Sequence, residues 1–224
     1  MSEKSKMNGL RAAVLGANDG IVSIAALVVG VAGATNDTAT IATAGMAGLI
    51  AGALSMAAGE YVSVSTQRDA ERAYIAKEEK ELEEDPEGEL EELIQYYRGK
   101  GLKRATAKQV SLELTEKDVL AAHLEAEFGL SEHDLTNPLN AAFASAVSFI
   151  AGGLIPIAAI IIPPSNLRVF VTFGSVVAAL AVAGYISAKV SEANIANAIR
   201  RVIFGGTFAM IVTYTVGTIF SISV

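Results

Sequence analysis

Residues 38–59 read TATIATAGMAGLIAGALSMAAG, and residues 60–85 follow as EYVSVSTQRDAERAYIAKEEKELEED. The first stretch is 22 residues without a charge. At about 1.5 Å of rise per helical residue, it is long enough to cross a hydrocarbon core roughly 30 Å thick. The second stretch is crowded with charge, yet no proline or other breaker separates the two. A single helix is therefore expected to leave an apolar solvent, enter water and stop near Asp85-Pro86, where proline and the restricted residue before it end helices. The chain divides into a membrane part and an aqueous part, coupled mechanically by one shared helix.

Uncharged runs on either side extend this reading. Leu135 to Leu167 is 33 residues, Val169 to Ala188 is 20 and Val202 to Val224 is 23. Asn137-Pro138 opens a third span, which Pro156 is expected to kink, and Pro163-Pro164-Ser165-Asn166 turns the chain into a fourth. Leu10 to Gly33 is a span only if Asp19 is admitted to it, with ATNDT (34–38) as a tight turn before the next. The expected fold is an all-α integral membrane protein with five transmembrane helices. Residues 1–65 form helices 1 and 2, residues 66–137 an inserted helical acidic domain, and residues 138–224 helices 3 to 5. The basic start MSEKSKMNGLR leads into polar GANDG rather than a short apolar stretch with a cleavage site, so the first span is expected to persist in the mature protein.

Charge gives the orientation. The net charge of -7 divides into 19 acids against 10 bases between Thr66 and Asn137, and 5 against 7 elsewhere. Five spans place Lys4, Lys6, Arg11, the ten bases of the insert, Lys189, Arg200 and Arg201 on one side and only Arg168 on the other. The N-terminus and the acidic domain are accordingly expected to face the cytosol. So acidic an insert does not fit nucleic acid as a partner. With no cysteine, disulfide and thiolate chemistry is excluded. Within the insert, Glu87 to Arg98 and Ala105 to Phe128 read as helices that stop at Gly99 and Gly129, making a small bundle; a solvated loop is the alternative.

Two acids fall within the spans, Asp19 and Glu60. Insertion of an aspartate at mid-membrane costs roughly 2.5–3.5 kcal/mol, so such a group is expected to be paired, hydrated or bound to a cation. The competing reading of Asn18-Asp19-Gly20 is a helix start with Asp19 as its cap. Met56 lies one turn before Glu60, and a thioether beside a carboxylate suits a borderline divalent ion such as ferrous iron better than magnesium or calcium. Gly48 and Gly52 on the same helix make a small-xxx-small face for close packing.

The insert holds ten acids among the fifteen residues from Glu78 to Glu92. Glu78 with Glu81, and Glu89 with Glu92, are three apart, so each pair shares a helical face and can share a cation; a solvated acidic face is the bland alternative. Glu125 and Glu127, with Glu113 and Glu116 upstream, are further candidates for a carboxylate cage. His123 and His133 belong to no ligand-spaced pair and read as surface or packing residues. No nucleophile constellation, phosphate loop or dinucleotide fingerprint is present, so the chain is not expected to be an enzyme.

LGANDGIVS (15–23), GALSMAAGEYVSVSTQRD (52–69) and NPLNAAFASAVSFIAGGLIP (137–156), with an acidic insert between the last two, together resemble the vacuolar iron transporter family over nearly the whole chain. The resemblance implies a homodimer that moves ferrous iron, and often manganese, out of the cytosol in exchange for protons. It implies no prosthetic group, the metal being substrate, and a path near the dimer interface. By motif, Asp19, Met56 and Glu60 match the family's membrane residues, and Glu78, Glu81, Glu89 and Glu92 its cytosolic metal-binding glutamates. The third helix departs from the family pattern at Leu124, where a methionine is expected, leaving Glu125, Glu127 or both as ligands. The membrane implied is the cell membrane in a prokaryote or the vacuolar membrane in a eukaryote. No fused ferritin-like domain is expected, so neither iron storage nor iron oxidation is implied. Two other classes remain open on the residues alone: a divalent-cation channel with an acidic gate, and a membrane-tethered metal buffer.

Overall fold

The computed structural model describes residues 3–131 and 136–222, and among them the chain is helical throughout, with no strand. The elements are α1 (Glu3–Ala34), α2 (Thr38–Glu84), α3 (Pro86–Gly99), α4 (Arg104–His123), a π-helical segment (Leu124–Phe128), α5 (Pro138–Ile161), α6 (Arg168–Val190) and α7 (Ile195–Ile222). Five of them, α1, α2, α5, α6 and α7, are long and apolar enough to cross a membrane. α2 continues without interruption for 47 residues. α1 also runs unbroken through Asn18-Asp19-Gly20, so Asp19 lies inside a helix and the cap reading is overturned. α5 is continuous through the buried Pro156.

The chain forms two compact units, one built on Ser63–Asn137 and the other on Met7–Val62 with Pro138–Val224. In the second, the buried core is Ile21, Ile24, Ala25, Val28 and Val29 of α1 with Ile41 and Leu49 of α2, Phe149 and Ile160 of α5, Leu180 of α6 and Met210 of α7. Bulky side chains elsewhere on these helices, such as Phe143, Phe170, Phe204 and Phe220, point outward, as a hydrocarbon solvent permits. Glycine sets the spacing: a Cβ at Gly16 would meet the Ser145 carbonyl and one at Gly20 the Phe149 carbonyl, so α1 and α5 pack backbone to backbone.

In the first unit, Asp85 caps α3: its side chain accepts from the Gly88 N–H at 3.0 Å, and Pro86 supplies the first helical residue. Leu93 of α3 packs with Ala122 and Ala126 as a small core flanked by Tyr96, Tyr97 and Leu114. The third helix of this unit is less regular than its periodicity predicts. It breaks at Asp118 (φ −168°, ψ 97°), whose carboxylate accepts from the Ala121 N–H at 3.0 Å and restarts the helix. It then widens into the π-helical segment and ends at Gly129, which takes the left-handed conformation at φ 60°.

Candidate metal sites

Within the first unit, Glu78 of α2, Glu89 of α3, His123 at the end of α4 and Glu127 of the π segment converge. Each offers one ligand atom, and all four atoms lie within 4.8 Å of one another. The Nδ1 of His123 stands 3.1 Å from Glu78 Oε1, 3.4 Å from Glu127 Oε1 and 3.6 Å from Glu89 Oε2. Glu78 and His123 are both fully buried. The geometry is that of a hydrogen bond only toward Glu127, and both oxygens of Glu78 are left without a hydrogen-bond partner.

Local structure explains the convergence. Glu89 sits in the first turn of α3, where the helix dipole favours an acid. A Cβ at Gly88 would collide with the Asp85 carboxylate, so glycine lets the cap form directly beside this ligand. His123 and Glu127 are four apart and share a face at the start of the widened turn. Tyr74 of α2 stacks on Phe128 at 4.8 Å between ring centroids, tying the end of the π segment to α2.

Three carboxylates around one imidazole strain the charge balance. Burial pushes the Glu78 carboxyl above its ordinary range, and the charge on Glu127 pushes it further, against a smaller opposing pull from His123. Burial likewise raises Glu89, helped by the neighbouring charge of Glu92. Carboxylates buried without donors need protons or a cation. One nitrogen and three carboxylate oxygens form a donor set suited to a first-row divalent transition metal.

Not every acid chosen from spacing joins this group. Glu81 turns to Lys77 in an ion pair at 2.5 Å, Glu92 and Glu125 are exposed, and so are Glu113 and Glu116. Of the expected pairs Glu78 with Glu81, and Glu89 with Glu92, one member of each enters the cluster; Glu81 pairs with Lys77, and Glu92 is exposed with its charge still felt at Glu89. His123, read from sequence as a surface or packing residue, lies at the centre of it. His133 lies outside the described residues. A second buried acid that the sequence reading missed, Glu71, accepts from Gln67 at 3.1 Å and from the N–H and hydroxyl of Thr136 at 3.3 Å, anchoring the segment that leads into α5.

In the second unit, Asp19, Met56 and Glu60 line one cleft of about 350 Å³, together with Ser23 and Leu27 of α1, Gly48, Gly52, Ser55 and Gly59 of α2, and Phe149 of α5. A Cβ at Gly48 would strike Leu27 and one at Gly52 the Phe149 ring, so these glycines bring α2 close enough to form the cleft wall. Ser23 donates its hydroxyl to Asp19 Oδ1 at 2.8 Å. Two carboxylates, a thioether and hydroxyls thus face the same space within an apolar bundle.

The model of the VIT family matches residues 10–218 of the chain. The chain belongs to the VIT family. It is 42% identical over 209 residues to a vacuolar iron transporter of Acanthamoeba castellanii, covering 93% of this chain and 77% of that protein. It is 36% identical over 212 residues to vacuolar iron transporter homolog 1 of rice (Oryza sativa subsp. japonica), covering 94% and 73%. With vacuolar iron transporter homolog 2 of Arabidopsis thaliana it shares 33% identity over 206 residues, 92% of this chain and 81% of the other. Membership agrees with the five long apolar helices: the chain is a multi-pass membrane protein of a metal-transporting family, and not an enzyme.

Proposed function

We propose that this VIT-family chain exports a divalent transition metal from the cytosol in exchange for protons, with ferrous iron as the principal substrate and manganese as a second. The observation that carries the reading is the cleft itself, where Asp19, Met56 and Glu60 face one space although they come from two helices. Metal entering it would take the carboxylate of Asp19 from Ser23 and share the thioether of Met56 and the carboxylate of Glu60. Protons arriving from the opposite side would neutralise the carboxylates and release the ion. The acidic cluster of Glu78, Glu89, His123 and Glu127 would collect metal from the cytosol, with the N-terminus on the same side. Two copies would assemble as a homodimer in the cell membrane of a prokaryote or the vacuolar membrane of a eukaryote.

The test is metal uptake into inside-out vesicles holding the full chain, with and without an imposed pH gradient. Export by antiport requires uptake that rises when the lumen is acid and collapses when the gradient is dissipated. Uptake indifferent to the gradient points to a channel instead, and metal binding without uptake to a tethered buffer.

A further inference from the structure

Arg168 opens α6 and is only 5% exposed. Its position is unfavourable on two counts: the start of a helix repels a cation, and a buried guanidinium must recover its lost hydration. The recovery is incomplete, because Nε has no hydrogen-bond partner. The remaining nitrogens reach the turn between α1 and α2, one donating to the Asn36 carbonyl at 3.4 Å and the other to the Thr38 hydroxyl at 3.0 Å. Arg168 thus fastens three helix ends, where α1 stops and where α2 and α6 begin. Asp37 lies between its two contacts and caps α2, its carboxylate accepting from the Thr40 N–H at 2.8 Å and from the Thr40 hydroxyl at 2.5 Å.

Beneath this fastening the cleft ends. Leu27 and Gly48 are its lining residues nearest the turn, and past them Val28 sits against Gly45 and Ile157, in a cluster with Ile41 and Ile160. Those four side chains are between 0% and 6% exposed, so a packed apolar layer separates the cleft from that end of the helices. An ion that enters the cleft and leaves at the turn must part this layer. Packed cores switch between discrete arrangements rather than deforming smoothly, so whatever holds the helix ends together decides which arrangement is populated.

We infer that Arg168 is a positioning residue for transport: by tying the α1–α2 turn to the start of α6 it keeps the apolar layer closed, and releasing that tie opens the cleft toward the turn. The inference rests on reading the cleft as the transport path. A residue retained only to stabilise the fold would not need to be charged, buried and incompletely satisfied at the wrong end of a helix dipole. Its hydrogen bonds go to a carbonyl and a hydroxyl, with the neighbouring Asp37 carboxylate attracting it from beside them.

The chain has no cysteine, so one introduced thiol reports without background. The experiment places Ser55→Cys in the cleft of the full chain, in sealed vesicles, and applies a membrane-impermeant maleimide from each face separately. The unmodified fastening should give labelling from the face opposite the turn and little from the turn side. Adding Arg168→Gln should raise turn-side labelling roughly fivefold or more, as loss of a tie worth about 1 kcal/mol would shift the two populations. Thr38→Val, which removes one acceptor and leaves the charge, should move it the same way by less, and Arg168→Lys should restore part of the closure. Folded variants with an unchanged two-sided ratio overturn the inference and leave Arg168 a structural residue; if Arg168→Gln does not fold, Thr38→Val decides. Labelling from neither face removes the transport-path reading and this inference with it.

Discussion

At the acidic cluster, four ligand atoms lie within 4.8 Å of one another and two of the four residues are fully buried. In the membrane cleft, Asp19, Met56 and Glu60 line about 350 Å³ of open space, and Asp19 already shares a hydrogen bond with Ser23. One place is crowded with charge that lacks partners; the other holds sparse ligands with alternatives. Tight preorganised sites gain affinity by reducing the ordering cost of binding, whereas a site on a route must also let its ion leave. The contrast is the one the proposed function requires, with capture at the cluster and passage through the cleft.

The strongest way to break that division is at Asp19. Asp19→Asn should lower gradient-driven metal uptake by more than about tenfold, the factor that 1.4 kcal/mol of lost site free energy produces. Metal binding to the same protein, measured by calorimetry in detergent, should change by less than about twofold if the cluster binds independently. Uptake at the unmutated rate would remove Asp19 from the path.

Next comes Glu78. Glu78→Gln should weaken metal binding by roughly 100-fold, the upper end of the 10–100-fold typical of losing a supporting partner. In chelator, the same variant should raise the melting temperature near neutral pH, because it replaces a buried carboxylate lacking donors. The pH dependence has a definite sign. Glu78 and Glu89 are raised in the folded state, so the folded metal-free protein holds protons that the unfolded chain has lost. Their contribution to stability is present below the ordinary carboxylate range and is lost as pH rises through the raised values. Metal competes with those protons, so affinity should fall on acidification over the same window, and binding should release protons visible as a buffer-dependent calorimetric heat.

A smaller effect is expected at His123. Imidazole favours later first-row metals, so His123→Met should reduce the preference of the cluster for nickel and zinc over manganese by about fivefold, read by competition titration. Smallest of all are Glu81→Gln, Glu92→Gln and Glu125→Gln. These side chains lie outside the cluster, two of them exposed, and each change should alter metal affinity by less than about twofold. A large loss at Glu92 would mean that the bound cluster recruits it, and that capture is less preorganised than the geometry implies.

The helices were legible because their signals are local. An uncharged run measures a span, Asp85-Pro86 marks a stop with its cap, and Gly129 marks a helix end. The cleft was legible too, since a carboxylate in an apolar helix has few reasons to be there, and Met56 precedes Glu60 by one turn. The cluster was only half readable. Spacing by three tells which acids share a face of one helix, but not which face meets the neighbouring helices. Spacing therefore pairs Glu78 with Glu81, and Glu89 with Glu92, and ranks neither member of a pair above the other. Four ligands from separated segments leave no common spacing to find. One local signal is present: His123 and Glu127 are four apart within LAAHLEAEF and so share a helical face.

The π-helical segment Leu124–Phe128 follows directly on His123 and contains Glu127. Such a turn is an ordinary α-helix carrying one surplus residue. Removing one residue between His123 and Glu127 would tighten the turn and leave Glu127 three positions after the histidine instead of four. The approach of Glu127 to the imidazole is therefore written partly in chain length. A single-codon deletion would thus change how Glu127 meets His123 while leaving every remaining side chain chemically untouched.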